Sequence, residues 1–357
     1  MLPDDSFAPL SPKPRCVGTG LVALDVVING CAETPPRLWA GGSCGNVLTI
    51  LSYLGWECHP IARLGADGAA ANLLADMQKW GVNTDLAFRR RADATPIVVE
   101  KLGTDKNGVT WHRFEWTCPK CGAWLPRYRP IAPKDLELAA EAVSSCHVFY
   151  FDRVARSSLE LAKRSREHGA LVFFEPSSVK SKGLFLKCME VSDVLKYSHE
   201  RLGHVEEVAT AAPVPLEIES LGAQGLRYRI SPRGSARGKW KRLAAYHVSD
   251  LKDTTGCGDW CSAGVIHLLA RHGSQPVKEI KASAIEAALS FGQALAALKC
   301  GHEGARGSMY ALSRDGFRAA VKEVLDGNAV SGSPASDDDG RAEQVLKTIC
   351  PRCCRTE

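Results

Sequence analysis

No stretch of this sequence approaches the ~20 consecutive apolar residues of a membrane-spanning helix, so a bilayer is not an expected partner. Charge of one sign is not in large excess either. Forty-five lysines and arginines face 40 aspartates and glutamates, and the net charge of +5 is too mild to call for nucleic acid. There is no internal repeat. Met1 to Arg15 is proline-rich and has no apolar centre, so it does not read as a signal peptide, and the cytoplasm is the expected compartment. What is present is ordinary globular usage: 45% hydrophobic and 24% charged residues over 357 positions. That excludes a wholly disordered chain, a collagen-like fibre and a long coiled coil, and suits one large α/β domain with a small appendage. The 14 cysteines are many for such a chain but are not spaced as a disulfide framework. Cys16, Cys146, Cys261 and Cys300 sit singly in apolar surroundings and read as small buried hydrophobes.

Apolar runs alternate with helical patterns along much of the chain. Arg15 to Asn29 reads as a strand region, and Ser43 caps a helical pattern reaching about Leu54. A strand at Cys58 to Leu64 and a helix capped by Asp67 and stopped by Gly81 follow. This order predicts a mostly parallel sheet. Pro96 to Gly103 and Val109 to Trp116 interrupt it as a hairpin about Asn107-Gly108, which reads as a lid, an oligomer contact or a surface excursion. Strands are then expected at 147–151, 171–174, 191–196, 216–220 and 226–230, with a helix at 157–168. Long helical patterns cover about 257–271, 277–299 and 308–325. Residues 327–344 are polar and read as a linker.

The most informative stretch is Asp253-Thr-Thr-Gly-Cys-Gly-Asp259, directly before the helical run WCSAGVIHLLA. Glycines allow close backbone approach, and a helix starting there points free N–H groups and its positive dipole end at the turn. That suits a phosphate under transfer, and a carboxylate at Asp259 could take the proton of an attacking hydroxyl. An Asp-capped helix after a tight turn is the plainer alternative.

This stretch resembles the C-terminal signature of the ribokinase-like (PfkB) carbohydrate kinases. Gly41-Gly42-Ser43-Cys44-Gly45-Asn46 and the run after it resemble that family's N-terminal signature, in the right order and spacing. The resemblance covers about residues 15–325 and implies a three-layer α/β/α sandwich with a small β lid, about 26–40 and 95–130. It implies phosphoryl transfer from ATP, with Mg²⁺, to a small sugar-like molecule, the rival being a nucleoside acceptor or a retired kinase fold used for binding or regulation. Asp259 matches the catalytic base, and Gly256, Cys257 and Gly258 match the anion hole; Cys257 stands where the family usually has alanine and still supplies the backbone N–H, a thiol activated by the helix N-terminus being the lesser reading. Asp25, Gly41, Gly42 and Asn46 match the acceptor floor. Ser220, Gly222 and Gly225 match a nucleotide turn, joined by Thr254, Ser198 and Glu200. Asp253 and Thr255 match positions that in some members hold a monovalent cation such as K⁺, and Gly301 to Ala305 lies where the family closes its adenine pocket. The lid is a candidate homodimer contact.

Three departures stand out. Ser198-His199-Glu200-Arg201 replaces the family's Asn-x-x-Glu, which bears on Mg²⁺. Ala23 replaces an asparagine near Asp25. Glu175-Pro176-Ser177-Ser178-Val179 lacks the family's arginine, which favours an unphosphorylated acceptor.

Outside the resemblance, Cys118-Pro-Lys-Cys121-Gly and Cys350-Pro-Arg-Cys353 are near copies. Two Cys-x-x-Cys turns complete a tetrahedral, closed structural Zn²⁺ site, with Cys354 as alternative to Cys353. Two separate reduced pairs, or a redox pair, are the other readings. The chain thus divides into a flexible tail (1–14), a kinase-like domain (15–326), a linker (327–344) and a zinc-knuckle tail (345–357). Arg89 to Arg91 and the basic run 233–242 read as solvated loops. Trp111 and Trp116 would cover a ligand or pack between subunits.

Overall fold

The computed structural model describes residues 6–29, 36–104, 110–179, 181–203, 205, 213–231, 236–329 and 349–353. The strands are β1 (Arg15–Thr19), β2 (Ala23–Asn29), β3 (Arg37–Gly41), β4 (Glu57–Gly65), β5 (Ala87–Arg90), β6 (Ile97–Thr104) and β7 (Thr110–Glu115). They continue as β8 (Val148–Phe151), β9 (Leu171–Phe174), β10 (Val194–Ser198), β11 (Leu216–Ser220), β12 (Leu226–Ile230) and β13 (Lys241–Leu243). A large sheet runs β13-β12-β11-β10-β9-β8-β1-β4-β5. It is parallel from β11 to β5, with β12 and β13 as an antiparallel edge.

Alternation along the central strands splits the core in two. Cys16, Val148, Tyr150 and Phe173 face the helices Ser43–Tyr53, Gly68–Lys79, Cys257–Ala270, Ala282–Cys300 and Arg314–Leu325. Val17, Phe149, Phe151 and Phe174 face the helices Arg156–Glu167 and Lys182–Val191 on the other side. A parallel sheet apolar on both faces must be covered twice, which gives the expected three layers.

The stretch read as one strand region is two strands in different sheets. β1 joins the large sheet, while β2 starts a second sheet of order β3-β2-β6-β7. β6 and β7 form the expected hairpin, with Val99 opposite Glu115; its Asn107-Gly108 turn lies outside the described residues. Ser43 is not the cap of its helix. Gly42 is, with φ +75°, and Ser43 begins the first turn. The Asp67 cap is present, its carboxylate accepting from Ala70 N–H at 2.8 Å. The pattern expected over 308–325 is two helices, Gly307–Ala311 and Arg314–Leu325. The described part of the N-terminal stretch, expected to be loose, is packed. Phe7 lies edge-on to Phe291 and Phe317, and a ring nitrogen of His267 meets the Ser6 carbonyl at 2.8 Å. Of the 327–344 stretch, 330–344 lie outside the described residues, as do 345–348 and Cys354.

Candidate active site

A cleft of about 2000 Å³ lies between the carboxyl ends of the parallel strands and the second sheet. Such strand ends are where open α/β sheets bind ligands, because strands deliver side chains there and helices begin there. The helix Cys257–Ala270 starts at the cleft, and its cap Gly256 takes a left-handed φ of +76°. A Cβ there would meet the Ala305 carbonyl oxygen at 2.5 Å, so the turn needs glycine twice over.

Asp259, in the first turn, is held by Asn46 Nδ2, which donates to its Oδ2 at 2.8 Å. Burial, then the charge of Glu175, pushes its carboxyl up to about 7, against the Asn46 hydrogen bond. Glu175 is fixed in turn. Lys196 Nζ donates to its Oε1, Tyr150 OH to its Oε2 at 3.0 Å, and Ser262 Oγ to the same Oε2. Lys196 also reaches the Gly258 carbonyl at 3.1 Å, tying β10 to the turn. Sequence reasoning missed Lys196 as a partner of Glu175, since a lysine inside an apolar strand looks like a mere break in the pattern.

Asp25 on β2 is buried beside the Gly41 backbone. Burial pushes it up to about 7, against Arg306 and the Gly42 N–H. A Cβ at Gly41 would fall 1.8 Å from Asp25 Oδ2, so a bare backbone is what lets that carboxylate lie across β3. Asp25, Gly42 and Asn46 line the cleft, and Gly41 stands directly behind Asp25. The Oδ1 atom of Asn46 is buried with no partner, an acceptor left for something entering the cleft.

The residues expected on the nucleotide, Ser198, Glu200, Ser220, Gly222 and Gly225, line the same cleft. Thr254 lines it too and meets His112 Nδ1 of β7 at 3.1 Å, which joins the second sheet to the turn. Gly301 to Ala305 does not line the cleft. Ala296, Ala297 and Cys300 do, while the 301–305 loop packs beneath the turn, with Trp260 Nε1 donating to the Ala305 carbonyl at 3.0 Å. Of the two tryptophans, Trp116 lines the cleft, with Phe114 and Tyr128.

One expectation fails here. Asp253 and Thr255 do not form an open cation site. Asp253 Oδ1 accepts from the Thr255 N–H at 2.8 Å, and its Oδ2 takes Lys299 Nζ at 2.9 Å and the Gly304 N–H at 2.8 Å. Both side chains are fully buried, and Lys299 reaches the Asp253 carbonyl as well at 2.7 Å. Burial opposes the ammonium most strongly, but the Asp253 carboxylate together with the Cys257 and Cys300 thiols holds Lys299 above the ordinary lysine range. Thr255 Oγ1 is turned to Glu100, whose carboxyl burial and the Asp253 charge push up to about 8. The minor reading of Cys257 as a reactive thiol finds no support either. Its thiol lies 3.2 Å from Cys300 Sγ, and that contact, with burial, holds it well above the usual thiol range despite the helix terminus.

Just past the end of β7 the two cysteine turns come together. Cys118 and Cys353 sulfurs lie 4.0 Å apart, Cys121 and Cys350 3.7 Å, and all four within 4.8 Å. A disulfide needs about 2.05 Å.

No family model matches the chain. A curated "Fructokinase" of Vibrio alginolyticus is 23% identical over 290 residues, 75% of this chain and 88% of that one. Among solved structures, the ribokinase of Arabidopsis thaliana complexed with ribose and ATP superposes with a TM-score of 0.63 at 18% identity, over 88% of this chain and 99% of that one. The aminoimidazole riboside kinase of Salmonella enterica gives 0.63 at 19% identity, over 86% and 99%. The adenosine kinase of Sinorhizobium meliloti gives 0.64 at 17% identity, over 87% and 99%. Together with the three layers and the small second sheet, these likenesses show that the chain has the ribokinase-like fold.

Proposed function

We propose that this protein is an ATP-dependent kinase that transfers the γ-phosphoryl group to a hydroxyl of a sugar or sugar-like small molecule. The carrying observation is Asp259: a carboxyl poised near neutrality, oriented by Asn46, in the first turn of a helix whose N-terminus opens on the cleft. In this reading Asp259 takes the proton of the acceptor hydroxyl as it attacks. The N–H groups at Gly256, Cys257 and Gly258 then stabilise the charge that develops on the phosphoryl oxygens. Asp25 accepts from acceptor hydroxyls, and the unpartnered Asn46 Oδ1 supplies a further acceptor.

ATP would lie along Ser220 to Gly225, the turn between β11 and β12, with Thr254 toward its phosphates. Mg²⁺ would supply neutralisation of phosphate charge. It takes few protein ligands because phosphates and water fill most of its shell, so the single exposed carboxylate of Glu200, beside Ser198, suits it. Lys299 stands in for a monovalent cation. Cys118, Cys121, Cys350 and Cys353 hold a structural Zn²⁺. Its sulfur spacing supports this, since a tetrahedron of ~2.3 Å bonds separates sulfurs by about 3.8 Å.

The likeness to a fructokinase, a ribokinase and an aminoimidazole riboside kinase supports the acceptor class. A nucleoside acceptor is the second reading. The aromatic wall of His112, Phe114, Trp116 and Tyr128 favours it, because flat rings suit a base. The test is ATP turnover by the purified protein over sugars, sugar acids, polyols and nucleosides, with Asp259→Asn as control. Turnover that depends on one acceptor class and is lost in the control supports the proposal. ATP binding with no turnover on any acceptor overturns it.

Gly41→Ala gives a separate check. The new methyl group collides with Asp25, so the acceptor KM should rise by about tenfold or more, while ATP affinity stays as it was. An unchanged acceptor KM would remove Asp25 from the acceptor floor.

A further inference from the structure

Residues 116–128 leave the cleft and return to it. Trp116 lines the cleft at one end of the excursion, and Pro126, Arg127 and Tyr128 line it at the other. Between them the chain closes on itself: Leu125 N–H donates to the Trp116 carbonyl at 2.9 Å and Cys118 N–H to the Ala123 carbonyl at 2.8 Å, about a Thr117–Trp124 bridge. The returning end is tied to the strand next to Asp25, because Ile97 N–H donates to the Pro126 carbonyl at 3.1 Å and Val98 pairs with Asp25.

This arm has little apolar core of its own. Trp116 is 46% exposed and Trp124 68%, and Cys118 and Leu125 are its buried apolar residues. What faces it is the second cysteine turn, where Ile349 and Cys350 are buried in the same apolar cluster as Cys118 and Leu125. Four sulfurs at metal spacing thus lie between two short turns that add few buried apolar residues of their own to the main core, and a structural metal commonly ties such turns together.

We propose that Zn²⁺ bound by Cys118, Cys121, Cys350 and Cys353 clasps the C-terminal segment to this arm and thereby shapes the acceptor wall of the cleft. The inference rests on the kinase reading for the word acceptor. The clasp and its effect on the arm do not depend on that reading. The cysteines are positioning residues: they touch no reacting atom, and their effect passes through Trp116 and Pro126 to Tyr128. The nucleotide turn at Ser220 to Gly225 belongs to a different sheet and should not feel the clasp.

The experiment compares the full-length protein with Cys350→Ser/Cys353→Ser and with Cys353→His, which keeps a Cys₃His ligand set. Metal content, ATP affinity, acceptor KM and kcat, and amide hydrogen exchange over 116–128 are measured on each. We expect one zinc per wild-type chain, and none in the double serine variant. That variant should show faster exchange over 116–128 and an acceptor KM raised by about tenfold or more at unchanged ATP affinity. Cys353→His should restore zinc, protection and KM together. Should the serine variant not fold, chelation and zinc readdition to the wild-type protein take its place. Zinc content unaffected by the serine pair, or iron in its stead, overturns the site. Zinc loss that leaves exchange and KM as they were overturns the coupling. If wild-type protein turns over no acceptor, the kinase reading fails, while zinc-dependent protection of 116–128 still decides the clasp.

Discussion

Asp259→Asn should lower kcat by about 10³-fold, the scale of a lost general base, and leave ATP affinity within about twofold. The amide keeps the shape and can still bond with Asn46, so folding is not at issue. What it cannot do is take a proton. The pH profile carries the sharper signature. Asp259 titrates at about 7 because burial and Glu175 disfavour its charge. A base works only when deprotonated, so kcat/KM should climb as pH rises through about 7 and level off above it. Asp25 also titrates at about 7, and protonation turns one of its two acceptor oxygens into a donor, so the acid limb should be steeper than one proton. In Asp25→Asn that limb should fall to a single proton. A flat profile between pH 6 and 8 would refute Asp259 as the base.

Lys299→Ala should be the most damaging change outside the reacting groups. It strands a fully buried Asp253 carboxylate that keeps only the Thr255 and Gly304 amides. Losing one member of such a pair costs about 3–5 kcal/mol, read as a lower urea midpoint. The cost should depend on salt identity. With the ammonium gone, K⁺ of about the right size can enter beside Asp253, so potassium should recover stability and turnover in the variant more than the bulkier tetramethylammonium does. The wild-type protein should turn over equally in the two salts. A wild-type rate that rises with K⁺ would show that Lys299 does not replace the cation.

Much of the site was legible because its chemistry sits in local patterns. The glycine turn before Asp259 and the paired Cys-x-x-Cys turns are such patterns, and their residues do meet in the cleft and in the sulfur cluster. What escaped was long-range pairing of buried charge. Lys196 with Glu175, Lys299 with Asp253, and Arg306 with Asp76 each join segments that carry no sign of one another in the chain. Asp152 is a further case: it accepts from the Leu21 and Cys44 N–H groups, over 100 residues away in sequence, and pins the crossing from β1 into the second sheet. In the fold, β3 and β5 went unseen because RLWAG and AFRR mix arginine and small residues with few large apolar ones, whereas the equally short β8 and β9, VFYF and LVFF, are apolar throughout. The reading of 15–29 as one strand region failed because an apolar run does not say which sheet it joins.

The position of β1 sets an order of events for a nascent chain. β1 is central in the large sheet, with β4 on one side and β8 on the other. Its partner β4 is synthesised soon after it, but β8 comes 132 residues later, counted between Arg15 and His147 at the strand entries. At about 5–20 residues per second, the ribosome leaves an apolar strand edge open for roughly 7–26 seconds. The N-terminal half therefore spends that interval as an unfinished sheet, and it is at this stage of synthesis that chaperone capture of this protein should concentrate.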